Sequence, residues 1–541
     1  MVTTAQALAQ TLKAWGVKRV FGVPGGSVLT VLEALNQEGI EFVLVKHENN
    51  GALMASAHAQ LTGSPGVCLA TGGPGTINLI NGLTHAYLDR APLLVITGQF
   101  SESTIPLITH QRLDQRQLLA PVVKWSAQVD GKNVHGVIEK ALRIAVSQRP
   151  GPVHVDLAGD VAASPVKGTF SHGKYSVQSP GGPADPAECQ RASELLQKSK
   201  RPVILAGLGV LWDKAHDALL ELVDKLKCPV MVTPKAKGVI PADHPQFAGV
   251  FGLGMAVDDL LLDVLRQGDL IVTVGYEPVE VVGSWYRPWP EGAPVIHIDG
   301  LPNIDGFYRA EAELVGNIRS SLRALLPKIH PSSGDWQGRA GLLRRELRQR
   351  FEESIPSSPT GVSPYELILA LGQALPRETL VTCDVGAHKI LSSQVWPTFE
   401  PGAFLVSNGL STMGFSLPAA IAAKLHDPQR PLVCLTGDGG LGMVLGELET
   451  AVRLGLGFPI ILFVDGSLSL IKVKQEEKEY APLGVDFGTP DWAGIASSFG
   501  ARGVKADSIE TCLKETLDAI DGQRLTLIEA KIDPREYRKQ M

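Results

Sequence analysis

The sequence predicts an α/β protein built from three units, each around a parallel sheet. Short apolar runs alternate with stretches of helical spacing along most of the chain, the pattern left by buried strands and crossover helices. A length of 541 residues accommodates about three domains of roughly 150 to 200 residues. Stretches rich in Gly, Pro and Ser, Ser164 to Pro186 and Ser354 to Pro359, break the pattern twice.

The first unit, residues 1–163, has apolar runs at Arg19–Val23, Phe42–Val45, Gly66–Ala70, Leu93–Ile96 and Val153–Leu157. The second, 187–330, has Val203–Ala206, Val230–Val232, Leu270–Val274 and Val295–Ile298, followed by an Arg-rich helical passage from Leu342 to Phe351. The third, 362–541, has Pro431–Thr436 and Pro459–Val464 with a helical stretch from Leu441 to Leu454 between them. Sequence repetition between the units is too weak to claim.

Composition narrows the function. The net charge of −6 and the absence of Lys/Arg clusters argue against nucleic-acid binding. No segment is long and apolar enough to span a bilayer. The N-terminus has neither the basic start nor the apolar core of a secretory signal. Six scattered cysteines show no metal-ligand or redox spacing. The expectation is a reduced, cytoplasmic protein.

The most informative stretch is Gly437-Asp438-Gly439-Gly440, directly after an apolar run. Asp438 and Asp465 stand 27 positions apart, each at the carboxyl end of an expected strand, where open parallel sheets collect ligands. A glycine turn entering a helix offers N–H groups to a diphosphate. Two hard oxygen ligands beside it suit Mg²⁺. A glycine-rich turn with two capping carboxylates would have the same local pattern. In the first unit, Glu48 precedes a helix expected to begin near Ala52, where an acid also complements the helix dipole. Thr71-Gly72-Gly73-Pro74-Gly75-Thr76-Ile77-Asn78 forms a second glycine-rich turn, suited to phosphate binding or tight packing.

In order and approximate separation, these elements resemble thiamine-diphosphate enzymes, and acetolactate synthases of the catabolic type most closely. The resemblance implies three doubly wound parallel-sheet domains: pyrimidine-binding, central and diphosphate-binding. It implies thiamine diphosphate and Mg²⁺ as cofactors, with Asp438, Asp465 and the Ser467 carbonyl as metal ligands. Glu48 would hydrogen-bond the pyrimidine ring and so activate the thiazolium. Gly73, Pro74, Asn78, Gly437, Gly439 and Gly440 would line the cofactor. Thr109-His110-Gln111-Arg112-Leu113-Asp114 is similar to the segment entering the active site, with Gln111 beside the reacting carbon. Asp384-Val385-Gly386-Ala387-His388 resembles a diphosphate-contact loop, bringing Gly386, Ala387 and His388 near the phosphates. Asn408-Gly409-Leu410-Ser411-Thr412-Met413-Gly414 is similar to a stretch in which Met413 wedges under the cofactor and Ser411 replaces a glycine. The implied substrate is a 2-oxo acid, such as pyruvate, decarboxylated and ligated to a second carbonyl. A non-ligating decarboxylase of the benzoylformate type and an aldehyde carboligase stay open. The resemblance also implies no FAD, because the arginine-and-aspartate element of flavin-binding synthases is absent. It further implies a homodimer, or a dimer of dimers (a homotetramer), with shared active sites. Val464 stands where the family has a polar residue, and Lys474 lies near the position of an acceptor-pocket tryptophan.

Overall fold

Among the described residues of the computed structural model, eighteen strands form three six-stranded sheets, parallel throughout. The structure describes residues 1–540 except 102, 167–180, 257, 283–291, 332–335 and 337. Most of the expected linker from Ser164 to Pro186 therefore lies outside the described residues.

The first sheet contains β1 (Arg19–Val23), β2 (Glu41–Leu44), β3 (Gly66–Ala70), β4 (Leu93–Gln99), β5 (Ser126–Val129) and β6 (Pro152–Ala158), in the order β2-β1-β3-β4-β6-β5. The second contains β7 (Pro202–Ala206), β8 (Val230–Val232), β9 (Phe247–Val250), β10 (Leu270–Val274), β11 (Val295–Asp299) and β12 (Ala312–Val315), ordered β12-β11-β10-β7-β8-β9. The third contains β13 (Leu380–Cys383), β14 (Phe404–Val406), β15 (Leu432–Gly437), β16 (Pro459–Val464), β17 (Arg502–Ala506) and β18 (Thr526–Lys531), ordered β14-β13-β15-β16-β18-β17. Counted from its own first strand, the third sheet repeats the topology of the first. This internal repetition is invisible in the residues.

Alternation along the strands assigns each face to a core. In β15, Leu432 and Cys434 join the apolar cluster shared with the first sheet, while Val433 and Leu435 join the one shared with the second. Ile460 and Leu462 of β16 alternate with Ile461 and Phe463 in the same way. Successive side chains of a strand point to opposite faces. The third sheet is therefore buried on both sides, which is why its central strands read as unbroken apolar runs. The helices Glu48–Thr62 and Ser416–His426 pack together between the first and third sheets.

Two helices differ from expectation. The first begins at Glu48 itself rather than near Ala52, because the His47 side chain accepts the Asn49 N–H and caps the turn. The passage from Leu441 to Leu454 holds two short helices, Asp438–Val444 and Glu447–Arg453.

Candidate active site

Strand order reverses between β1 and β3 in the first sheet and between β13 and β15 in the third. Crevices at such switch points, beyond the strand carboxyl ends, are where open α/β sheets bind ligands. The turn 71–76 leaves β3, the loop Asp384–His388 leaves β13, and the turn Gly437–Gly440 leaves β15. The three motifs singled out in the sequence thus sit on switch-point strands.

On the third sheet, β15 and β16 run in register, with Gly437 opposite Phe463. That pairing carries Asp438 and Asp465 to adjacent positions. Asp438 is 3% exposed. Its Oδ2 accepts the N–H groups of Asp465 (3.2 Å) and Gly466 (2.8 Å), and its Oδ1 that of Gly439 (2.8 Å). Asp465 accepts the Ser467 N–H (3.0 Å) and the Ser469 hydroxyl (2.5 Å). Burial raises the proton affinity of both carboxyls, and Asp465 reaches about 6, with the charge of Asp438 adding to the effect. Two carboxylates held this close favour a cation between them. Val464, polar in the resembling family, is a buried core residue here.

His388 stacks on Phe463, ring centroids 5.5 Å apart and planes 12° from parallel. Burial lowers its basicity to about 4, so the ring is neutral near pH 7. Its buried Nε2 has no partner, and an unsatisfied nitrogen in such a place points to a missing hydrogen-bond partner. Gly386 and Gly437 close on the edge of the ring. A Cβ on Gly437 would lie 3.0 Å from its Cε1, and one on Gly386 2.8 Å. Ala387 begins the helix that carries the ring.

Asp384 draws these loops together, and its role was not apparent from sequence. Fully buried, it accepts from the N–H groups of Val385, Gly414 and Phe415 and from the hydroxyls of Ser416 and Thr436. Gly440 lies so close that a Cβ there would be 2.6 Å from its Oδ2. Gly439 faces an apolar wall of Leu468, Met413 and Phe487, which a Cβ would meet at 3.1, 3.5 and 3.5 Å. Ser411 adopts φ +54°, the left-handed region a glycine would enter freely. The strain is of the order of 1 kcal/mol. Its hydroxyl is tied to Asn408 O (2.9 Å) and accepts from Lys389 Nζ (3.2 Å). Lys474 is exposed on the helix Ser469–Glu477.

On the first sheet Glu48 is 7% exposed and accepts the Asn78 side-chain N–H at 2.9 Å. Gly75 lies against it: a Cβ there would be 3.2 Å from Glu48 Oε1. Gly73 has φ +69°, and a Cβ would meet Gln111 O at 2.9 Å, so both its conformation and its space require glycine. Pro74 opens the following short helix, and Gln111 is exposed at φ +53°. Glu48, Gly73, Pro74, Asn78 and Gln111 thus gather at one switch point. Gly386, Ala387, His388, Ser411, Met413, Gly437–Gly440, Asp465 and Ser467 gather at the other. No hydrogen bond among the described residues joins Glu48 or the turn 71–76 to residues 437–440 or 465–467 of the same chain.

Twin sheets, one presenting a buried glutamate and the other two neighbouring aspartates at a glycine turn, define an α/β protein with a candidate ligand site at each of two switch points. Three family models match in series: the N-terminal TPP binding domain of thiamine pyrophosphate enzymes over residues 2–118, their central domain over 189–325, and their C-terminal TPP binding domain over 384–530. The chain belongs to the thiamine pyrophosphate enzyme family. It is 32% identical over 538 residues to an acetolactate synthase of Bacillus subtilis, covering 98% of this chain and 93% of that one. It is 33% identical over 544 residues to the large subunit of acetolactate synthase isozyme 2 of Escherichia coli, covering 98% and 96%. With a catabolic acetolactate synthase of Raoultella terrigena the identity is 32% over 549 residues, covering 99% and 95%. Among the described residues no helix is long and apolar enough to cross a membrane.

Proposed function

We propose that the protein decarboxylates a 2-oxo acid, pyruvate first among them, and ligates the resulting acyl unit to a second carbonyl, as the names of its acetolactate synthase relatives suggest. The observation that carries this reading is the Asp438–Asp465 pair, organised by backbone N–H groups beside the unpartnered Nε2 of His388. When bound, thiamine diphosphate supplies the electron sink that decarboxylation requires. The protein's residues supply charge and posture. Asp438 and Asp465 would hold Mg²⁺ with the Ser467 carbonyl. Among the described residues no three His, Cys, Asp or Glu side chains cluster as a metal site, so the ion would need phosphate oxygens as well, as Mg²⁺ commonly does. Neutral His388, its ring N–H bonded to the Asp384 backbone, would set its ring edge against the diphosphate end of the cofactor. Glu48 would take and return a proton at the aminopyrimidine ring nitrogen. Gln111 would bind a substrate oxygen, and Met413, Leu468 and Phe487 would wall the reacting end against water.

A second copy of the chain would complete the site. Ile77 (48% exposed) and Met443 (62%) project from the two halves beside the start of the Glu48 helix. They line one open hollow of about 590 Å³. Burying them against another protomer fits a dimer, or a dimer of dimers, with shared sites. An active monomer in sedimentation would overturn this.

The reading includes no flavin. The second sheet has its own switch point between β7 and β10, and there Glu280 takes the Leu208 N–H at 3.1 and 3.0 Å with its two oxygens. A phosphate would need that N–H. Arg90 and Arg149 are both ion-paired with Glu277 beside Asp299, around a crevice of only about 20 Å³. Flavin absorbance in the purified protein would contradict this. Six free, buried cysteines fit a reducing, cytoplasmic setting.

The deciding experiment incubates purified protein with thiamine diphosphate, Mg²⁺ and a panel of 2-oxo acids, following CO₂ and carbon products. Acetolactate or acetoin is expected from pyruvate. Free aldehyde alone would favour the non-ligating decarboxylase, and no CO₂ from any 2-oxo acid would overturn the proposal.

A further inference from the structure

Beneath the turn 71–76 lies Gln115, 1% exposed, at the start of the short helix Gln115–Leu119. Its Oε1 accepts the Gly73 N–H at 3.0 Å and also the Thr76 hydroxyl. Its Nε2 donates to Gly98 O at 3.0 Å and to Asp156 Oδ1 at 2.9 Å. Both donor hydrogens and both acceptor sites of the amide are thereby used. Asp156 is fixed in turn by the Thr97 hydroxyl and by His154, whose Nε2 is 3.2 Å away. His154 bonds Thr97 (2.7 Å) and Ser126 (2.9 Å). The network spans β4, β5 and β6, so Gln115 fastens the turn to the rigid body of the sheet. On the other flank Ser27 holds Thr71 (2.9 Å) and the Gly72 N–H (3.2 Å).

What the turn carries gives the clamp its meaning. Gly75 abuts Glu48, and the Gln111 carbonyl presses on Gly73. Glu48 and Gln111 therefore share one support, and Gln115 is the side chain that fixes its height. We infer that Gln115 is a positioning residue that sets Glu48 and Gln111 in register through the turn 71–76. This rests on the proposed roles of those two residues. Gln115 itself touches neither a reacting atom nor the cofactor in this account.

Two near-isosteric variants test it. Gln115→Met removes all four bonds. Gln115→Glu keeps the two acceptor contacts, loses both donors and sets a second carboxylate against Asp156. That pair would share a proton as pH falls, and the introduced carboxyl, once protonated, would again donate. The first readout is native-state amide exchange of residues 72–77 in the cofactor-free protein. About tenfold faster exchange is expected in Gln115→Met, the equivalent of one net hydrogen bond. Gln115→Glu should exchange fast at pH 8 and approach the wild-type protection factor at pH 5.5. The second readout is steady-state kinetics. In both variants kcat should fall by about tenfold or more with the substrate KM within a few-fold, and in Gln115→Glu the loss should shrink at pH 5.5. Unchanged protection in both folded variants, or loosened exchange with unchanged kcat, would overturn the inference. A wild-type protein inactive on every 2-oxo acid would overturn the proposed function instead, while the exchange data would still decide whether Gln115 clamps the turn.

Discussion

Replacing Gly437 with alanine probes the diphosphate end without disturbing backbone preference. Gly437 has φ −88° and ψ 160°, which alanine adopts readily, so only space is at issue. The new methyl would lie 3.0 Å from His388 Cε1 and 3.3 Å from Nδ1. The ring must therefore give by a few tenths of an ångström. It has little room, being stacked on Phe463 at 5.5 Å and closed in by Gly386. Overpacking of this kind costs about 1 to 3 kcal/mol. If the ring moves, its edge leaves the place where it would meet the diphosphate, and the penalty appears as about 5- to 150-fold weaker cofactor binding. Titrating thiamine diphosphate with Mg²⁺ into wild type and Gly437→Ala, followed by tryptophan fluorescence, measures it. In a His388→Ala background the same methyl should cost little, giving a clear coupling energy in the double-mutant cycle. Cofactor affinity within twofold of wild type and an unchanged melting temperature in Gly437→Ala would refute the packing argument.

Glu48→Gln preserves shape and can still accept from Asn78, so turnover should fall by about 10²- to 10⁴-fold, the range of general acid–base catalysis, while cofactor affinity stays within a few-fold. Unchanged turnover removes Glu48 from the mechanism. Asp465→Ala, and separately a chelator added to wild type, should both abolish the Mg²⁺-dependent part of thiamine diphosphate binding, read by calorimetry; equal affinity with and without the ion would sink the metal assignment. Burial holds His58 at a pKa of about 4 against an ordinary 6.5, with His426 and Arg19 contributing. Between those values the unfolded chain binds more protons than the folded one, so stability rises with pH across the window and is lost on acidification through it. The loss should reach about 2 to 3 kcal/mol near pH 4, allowing for partial exposure. Urea midpoints at pH 4.5 and 7 should differ less in His58→Gln than in wild type, and an identical difference would exclude His58 as a source.

The parts of the fold legible in the residues are those buried on two faces. β3, β10, β15 and β16 are apolar at nearly every position, because helices or another sheet cover each side. The strands that escaped notice are mostly short or peripheral: β5 and β17 lie at sheet edges with largely half-exposed, polar residues, and β14 has only three residues. Edge strands lose the continuous apolar run that marks a central one. In the candidate site, Asp438, Asp465 and Glu48 were visible because each follows a strand and meets a glycine-rich turn or a helix start. Asp384 and Gln115 were not singled out, because what distinguishes them is convergence. Asp384 gathers donors from three loops far apart in sequence, and Gln115 meets Gly73 across 42 positions. A signal did exist for Gln115: a glutamine one position past the capping Asp114, in a helix of only five residues, is an unexpected choice for a buried place.

The third sheet shares its interior with both neighbours, one on each side. No cut between units therefore leaves a fragment with a finished surface: excising residues 362–541 would bare the helix Ser416–His426, which packs on Glu48–Thr62, and removing the middle segment would uncover the helix Ala387–Val395, which packs on β9. Truncated forms should clump rather than behave as portable modules, and heat or urea should melt the whole chain in a single concerted event.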